Sequence, residues 1–342
     1  MALRSQRVRQ LATVSVVFIF LVIIAGSVVR ATGSGMGCPD WPQCFGYTVP
    51  PYDIETLTWR AGKAFKAGQM ILHEGQFWVA NENVITSEVF NSRDQWVVFD
   101  RHDYTVFNPV HTWIEFINRL IGALSGLPIL LLAAVSLWKV RTNVLNAVLS
   151  VGVLFLLLFE AWLGKLVVDG NLVPNQITLH MMGSVAIVLL LLALRARNTE
   201  GTYSFPAPIK WGLWVLLSTV VVQIFLGTQL RELVDHYLSS PDVSRLELVP
   251  TMSELMPKLH RSFAWVVLIA TTVLYYVRRA KKTVIPGFQP LVFAVLLEWA
   301  IGVALYFLGL PKAMQPLHLV LSIGILASVS YPLFLSLRKE NR

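Results

Sequence analysis

The chain has 342 residues, of which 55% are apolar and only 14% charged, and its formal net charge is +8. So apolar a composition excludes an ordinary soluble domain and points to a polytopic membrane protein. The basic excess sits in short clusters beside apolar runs, which fits topology and lipid-headgroup contact and gives a nucleic-acid role no support.

Runs of roughly 20 apolar residues, enough to cross ~30 Å of hydrocarbon, fall at 11–29, 113–138, 144–168, 176–194, 211–230, 260–277, 288–309 and 314–336. They predict an all-α integral membrane protein with eight transmembrane helices in the bilayer. Arg4, Arg7 and Arg9 precede the first run, Lys139 and Arg141 follow the second, and Arg195, Arg197 and Lys210 surround the gap after the fourth. Arg278, Arg279, Lys281 and Lys282 follow the sixth, and Arg338, Lys339 and Arg342 end the chain. Cytoplasmic loops collect Lys and Arg, and all these clusters fall on one side, so both termini are expected in the cytoplasm. The N-terminus resembles a signal peptide, but its run is long and no small-residue cleavage site follows, so it reads as a retained first helix.

On this topology 31–110, 169–175, 231–257 and 310–313 lie outside, and only the first is long. It holds both cysteines, in Gly33-Ser-Gly-Met-Gly-Cys38-Pro-Asp-Trp-Pro-Gln-Cys44. In an oxidising compartment such a pair can persist as a disulfide; two free thiols or a redox-active pair are the alternatives. Residues 47–107, with Gln76-Phe-Trp-Val-Ala80 and Gln95-Trp-Val-Val-Phe99, read as a small β-rich cap inserted in the loop. Its His73 and His102 lack ligand spacing and read as surface residues.

The later runs carry a repeated device. Glu160 is followed twenty residues on by His180, and Glu298 twenty residues on by His318. Gly164 and Gly302 stand four residues after their glutamates, while Pro174 and Pro311 interrupt each segment before its histidine. His260 lies in the sixth run and His111 at the outer mouth of the second. Even-numbered helices all run from outside to inside, so these imidazoles can meet in one layer near the outer face. A lone helical histidine is commonly a packing residue. Three at one depth suit axial ligation of haem iron, because ionisable groups in lipid are costly and usually functional.

Arg30, Arg119, Arg231 and Arg261 lie near the same level, and guanidinium forks suit haem propionates, although snorkelling to the interface would explain any one of them. Gly26-Ser-Val-Val-Arg30 and Gly227-Thr-Gln-Leu-Arg231 align, which divides the chain into two parallel four-helix halves, 1–200 and 201–342. His260-Arg261 then falls on Asn118-Arg119, so the first half lacks a second histidine. His111, Glu115 and Asn118 share one helical face. Glu115 is the candidate for handling protons, or else simply pairs with Arg119 four residues on. Glu160 and Glu298 are expected to support their histidines by buried hydrogen bonding.

The loop from Gly26 to Cys44, the segment Glu115 to Arg119, Leu179-His-Met-Met-Gly183, Gly227 to Arg231, Leu259-His-Arg261 and Pro316-Leu-His318 together resemble the heme A synthase family. The resemblance implies an enzyme that oxidises the C8 methyl of heme O to a formyl group, by successive hydroxylations and loss of water, supplying heme A to cytochrome oxidase. It further implies that His260 and His318 bind a resident haem b and that His180 ligates the substrate haem. Glu115 would be the essential carboxylate, and Cys38 with Cys44 the outer-loop pair. Expected partners are heme O, heme O synthase, cytochrome oxidase assembly factors and a second copy of the chain. The chain departs from the pattern at Asn118, where histidine is usual, and lacks the second-half cysteine pair of some members; the substrate iron would then be bound through His180 alone or with a shifted contact from His111, or Asn118 would hold a water. A di-haem cytochrome b or a haem exporter would explain the ligands as well, without needing Glu115.

Overall fold

The computed structural model describes residues 2–90, 95–100, 106–138, 140–141, 143–169, 176–201, 203–238, 248 and 252–338. His102, Lys139, Pro174, Lys339 and Arg342 lie outside these. Eight long helices dominate: α1 Ala2–Thr32, α2 Pro109–Leu137, α3 Val144–Asp169, α4 Gln176–Arg197, α5 Ala207–Leu238, α6 Leu255–Ala280, α7 Phe288–Phe307 and α8 Met314–Ser336. All eight are long and apolar enough to cross a bilayer, and the chain is a multi-pass membrane protein.

The bounds follow local chemistry. Asn108 caps α2, accepting from the Val110 and His111 amides at 3.0 and 3.2 Å, and Pro109 opens the first turn where its missing N–H costs nothing. Helix α5 runs about two turns past its expected end at 230. Arg231 therefore lies inside the helix, where it pairs with Asp235 one turn on. Helix α6 likewise starts at Leu255, so His260 is more than one turn inside it.

Helix neighbours form two closed rings. In the first, α1 packs on α2 and α4, and α3 on α2 and α4; in the second, α5 packs on α6 and α8, and α7 on α6 and α8. The rings meet through α4 against α5 and α8, and α1 against α8. Their apolar interior is continuous, with Leu132, Val188, Leu213 and Leu326 fully buried in it. Since lipid tails give apolar helices no reason to associate, close packing and polar contacts must do so. Asn146 Nδ2 donates to Asn198 Oδ1 at 3.0 Å between α3 and the end of α4, and Ser5 Oγ donates to the Asn198 carbonyl at 3.1 Å from α1.

Between α1 and α2 lies a small cap. Strands β1 (Ala64–Phe65) and β4 (Val84–Ile85) pair antiparallel, as do β2 (Met70–His73) with β3 (Gln76–Ala80) and β3 with β5 (Trp96–Val98). Cys38 and Cys44 form a disulfide. Both are buried with Phe45, Leu57, Met70 and Phe77, so the bridge belongs to the cap's core.

Candidate functional site

Helices α5 to α8 enclose a cavity of about 470 Å³, with Arg30 of α1 and Met181 of α4 at its margin. His260 and His318 face each other in it, ring centroids 6.4 Å apart and planes at 74°. Glycines make room for both rings. A Cβ at Gly227 would stand 3.1 Å from His260 Cε1, and one at Gly302 3.3 Å from His318 Cε1. Glu298 Oε1 lies 3.1 Å from His318 Nδ1. Gln223 is the neighbour of His260, its Nε2 donating to the His260 carbonyl at 3.1 Å.

The arginines at the cavity are not equivalent. Arg30 gives Nε and Nη2 to Asp235 Oδ2 at 2.9 and 2.6 Å, while Arg231 Nη2 reaches Oδ1 of the same carboxylate at 2.7 Å and its Nη1 donates to Gln315. One carboxylate thus holds a guanidinium from each ring. Arg261 stacks 4.6 Å above the Tyr306 ring and donates through Nε to the Pro257 carbonyl at 3.3 Å.

The first ring is built differently, and none of His111, Glu115, Asn118 or His180 lines this cavity. His180 Nδ1 stands 2.6 Å from Glu160 Oε2, close but not aligned as a hydrogen bond. Gly183 lies beneath them, and a Cβ there would overlap the Glu160 carboxylate and displace it. Glu115 is 3% exposed. Its Oε2 accepts the Cys38 amide at 2.9 Å and its Oε1 accepts from Arg119. Arg119 also donates to the carbonyls of Asp40 at 2.6 Å, Gln43 at 2.9 Å and Cys38 at 3.2 Å. Those bonds commit it to the disulfide loop. Thr112 Oγ1 donates to the Gly37 carbonyl at 2.8 Å, and Gly37 lies so close to the His111 backbone that a Cβ would stand 2.5 Å from its carbonyl oxygen. Asn118 Oδ1 would lie 3.7 Å from a Cβ on Gly26, the place that His260 takes beside Gly227.

The family described as cytochrome oxidase assembly protein, COX15-CtaA, matches residues 9–86 and 87–330, nearly the whole chain. The chain belongs to this family. A heme A synthase of Shewanella oneidensis is 28% identical over 222 residues, 64% of this chain and 54% of that protein, so the chain spans about half that relative's length. A heme A synthase of Flavobacterium johnsoniae is 21% identical over 347 residues, 93% of this chain and 94% of that protein.

The donor set of this family member fits haem better than a bare ion. Among the described residues no three His, Cys, Asp or Glu side chains gather at one point, whereas haem iron brings four nitrogens and asks only one or two ligands of the protein. With metal–imidazole bonds of about 2.0 Å, two rings on opposite sides of one iron would have centroids roughly 6 Å apart. His260 and His318 meet that spacing. Asp235 and Gln223 escaped sequence reasoning. Asp235 sits one turn after Arg231, a spacing that would have found that half of its contacts but not Arg30.

Proposed function

We propose that the chain is a heme A synthase, converting heme O to heme A by oxidising the C8 methyl through hydroxylated intermediates to a formyl group. The observation that carries this is the pairing of His260 with His318 across one cavity in the second ring, whereas in the first ring, among the described residues, no imidazole is paired with His180. Resident haem b would lie between His260 and His318, with propionates toward Arg231 and Arg261, and when bound it supplies one-electron transfer. Arg30 also lines that cavity and shares Asp235 with Arg231, whereas Arg119 lies outside it and donates to the disulfide loop and Glu115.

In the first half His180 would hold the iron of substrate heme O. Glu160, 2.6 Å from Nδ1, would orient that imidazole and strengthen it as a donor once the two align. Asn118 is a poor iron ligand, so the opposite side is left to a weaker contact and the substrate can enter and leave. Glu115, buried beneath the disulfide loop, is the carboxylate that takes up or delivers a proton during hydroxylation and dehydration. The same reading puts the cap and the histidines toward the outer face of the cell's inner membrane, with both termini in the cytoplasm and the halves 1–200 and 201–342 as duplicated bundles.

The test is production in cells that make heme O but no heme A. Extracted haem is expected to contain hydroxylated and formyl products; heme O alone would sink the reading in favour of electron transfer or haem export.

A further inference from the structure

Away from the cavity of His260 and His318, helices α5 and α6 form a second recess, a groove of about 430 Å³. Gly212, Ala270 and the buried Leu274 lie deepest in it. Gly212 lets the two helices approach so closely, because a Cβ there would stand 2.8 Å from Leu274 Cδ1. Trp211, Val215, Ile269 and Val273 flank them and are all exposed. The groove therefore opens outward, to hydrocarbon.

It runs along half the membrane and no further. Its lining extends from Pro208 to Thr219 on α5 and from Val266 to Val277 on α6, roughly 16 Å at 1.5 Å per residue against ~30 Å of hydrocarbon. A neighbouring helix would lie along the whole thickness, whereas an acyl chain belongs to one leaflet. Pro208 is in the first turn of α5 and Val277 in the last turn of α6, so the leaflet is the one at the basic end of the bundle.

The charge at that end matches an anionic headgroup. Lys281 stands one turn beyond Val277, its amide donating to the Val277 carbonyl at 2.9 Å, and is exposed on the face that lines the groove. Arg279 and Lys282 are exposed beside it. Helix α5 begins at the same mouth, bringing the positive end of its dipole with no acidic residue in the first turn. No Asp or Glu occurs in 201–231 or 255–297. Trp211 stands at the level where aromatic rings meet headgroups. We propose that this groove binds one anionic phospholipid, its acyl chain against Gly212 and Ala270 and its phosphate beside Lys281 and the first turn of α5.

The test is native mass spectrometry of the delipidated full-length protein, titrated with phosphatidylglycerol or with phosphatidylcholine of the same chains. At its tightest site the wild type is expected to take one phosphatidylglycerol in preference to phosphatidylcholine. Lys281→Gln should lose about fivefold of that preference, the contribution of one lysine near an anionic surface. Lys210→Gln removes the same charge at the same level, on the side of α5 away from the groove, and should leave the preference intact. Ala270→Phe fills the groove and should weaken both lipids; Lys281 and Lys210 test the site even if that variant fails to fold. Equal binding of the two lipids by wild type, or equal losses in Lys281→Gln and Lys210→Gln, would overturn the site. A dimer that disappears in Ala270→Phe would overturn it in favour of a second copy of the chain on this face.

Discussion

The two rings of helices use the same histidine support and put it to unequal use. His180 and His318 each stand against a glutamate from the preceding helix. Across from His318 is His260, in a roomy cavity lined by arginines. The counterpart region of the first ring holds Asn118 and Glu115, the latter closed over by the Cys38–Cys44 loop. On the function proposed above, the repeated part would be the ligand with its carboxylate, and the part that differs would decide whether an iron is kept or exchanged. A duplicated scaffold can in this way give one site to a permanent cofactor and the other to a substrate.

The contrast can be broken most completely at the paired histidines. His260→Ala or His318→Ala is expected to abolish the low-spin haem b absorbance of the purified protein; spectra unchanged in both would remove the second-half site. Next in size, Glu115→Gln should lower formation of the formyl product by at least about 10²-fold, the usual contribution of a positioned acid or base, with resident haem b retained. Normal heme A from that variant would return Glu115 to a structural pairing with Arg119.

A sharper version of the comparison is Asn118→His. It should give the first ring a second imidazole, adding a low-spin signal when heme O is supplied and slowing turnover by trapping the substrate; a spectrum identical to wild type would mean that position 118 does not face the iron. Opening the disulfide with Cys38→Ser is a milder change. A loop of this length is worth about 2 kcal/mol to stability, so thermal unfolding of the cap end should come a few degrees lower, with a matching fall in the Glu115-dependent activity.

The smallest effect concerns Asp40 in the same loop. Burial lifts its carboxyl above the usual range, against the pull of the Phe45 and Gly46 amides and the nearby Arg119. A carboxyl raised in the folded state holds its proton more tightly than the unfolded chain does. Stability should therefore decline as pH climbs from its ordinary 3.8 through the raised value. Asp40→Asn should flatten that part of the pH profile, which unfolding curves at several acidic pH values would check.

Much of this was legible in the residues. Eight apolar runs predict the eight helices, because length and composition alone decide what can lie in hydrocarbon, but they miss the start of α1 and the end of α5 by about two turns. The twenty-residue Glu…His spacing pointed to supporting carboxylates, and the two cysteines could hardly find other partners. What stayed hidden was contact between distant helices. Nothing local to Asp235 announces Arg30, 205 residues away. Nothing local to Gln223 announces His260, 37 residues on. Arg119 was read by analogy with Arg261, yet loop carbonyls that no periodicity reveals take up its donors.

The shared carboxylate of Asp235 also bears on how the molecule is put together. Synthesis delivers Arg30 at the end of the first helix long before α5 exists, so its guanidinium waits at the membrane boundary without a counter-ion. The Thr178 amide in the first turn of α4, which donates to Glu232 at 3.2 Å, likewise gains this acceptor only when α5 arrives. The first four helices are thus an unfinished half. Their cap-end charges are satisfied by a segment inserted afterwards, and α5 serves as the keystone that turns two sequential insertions into one protein.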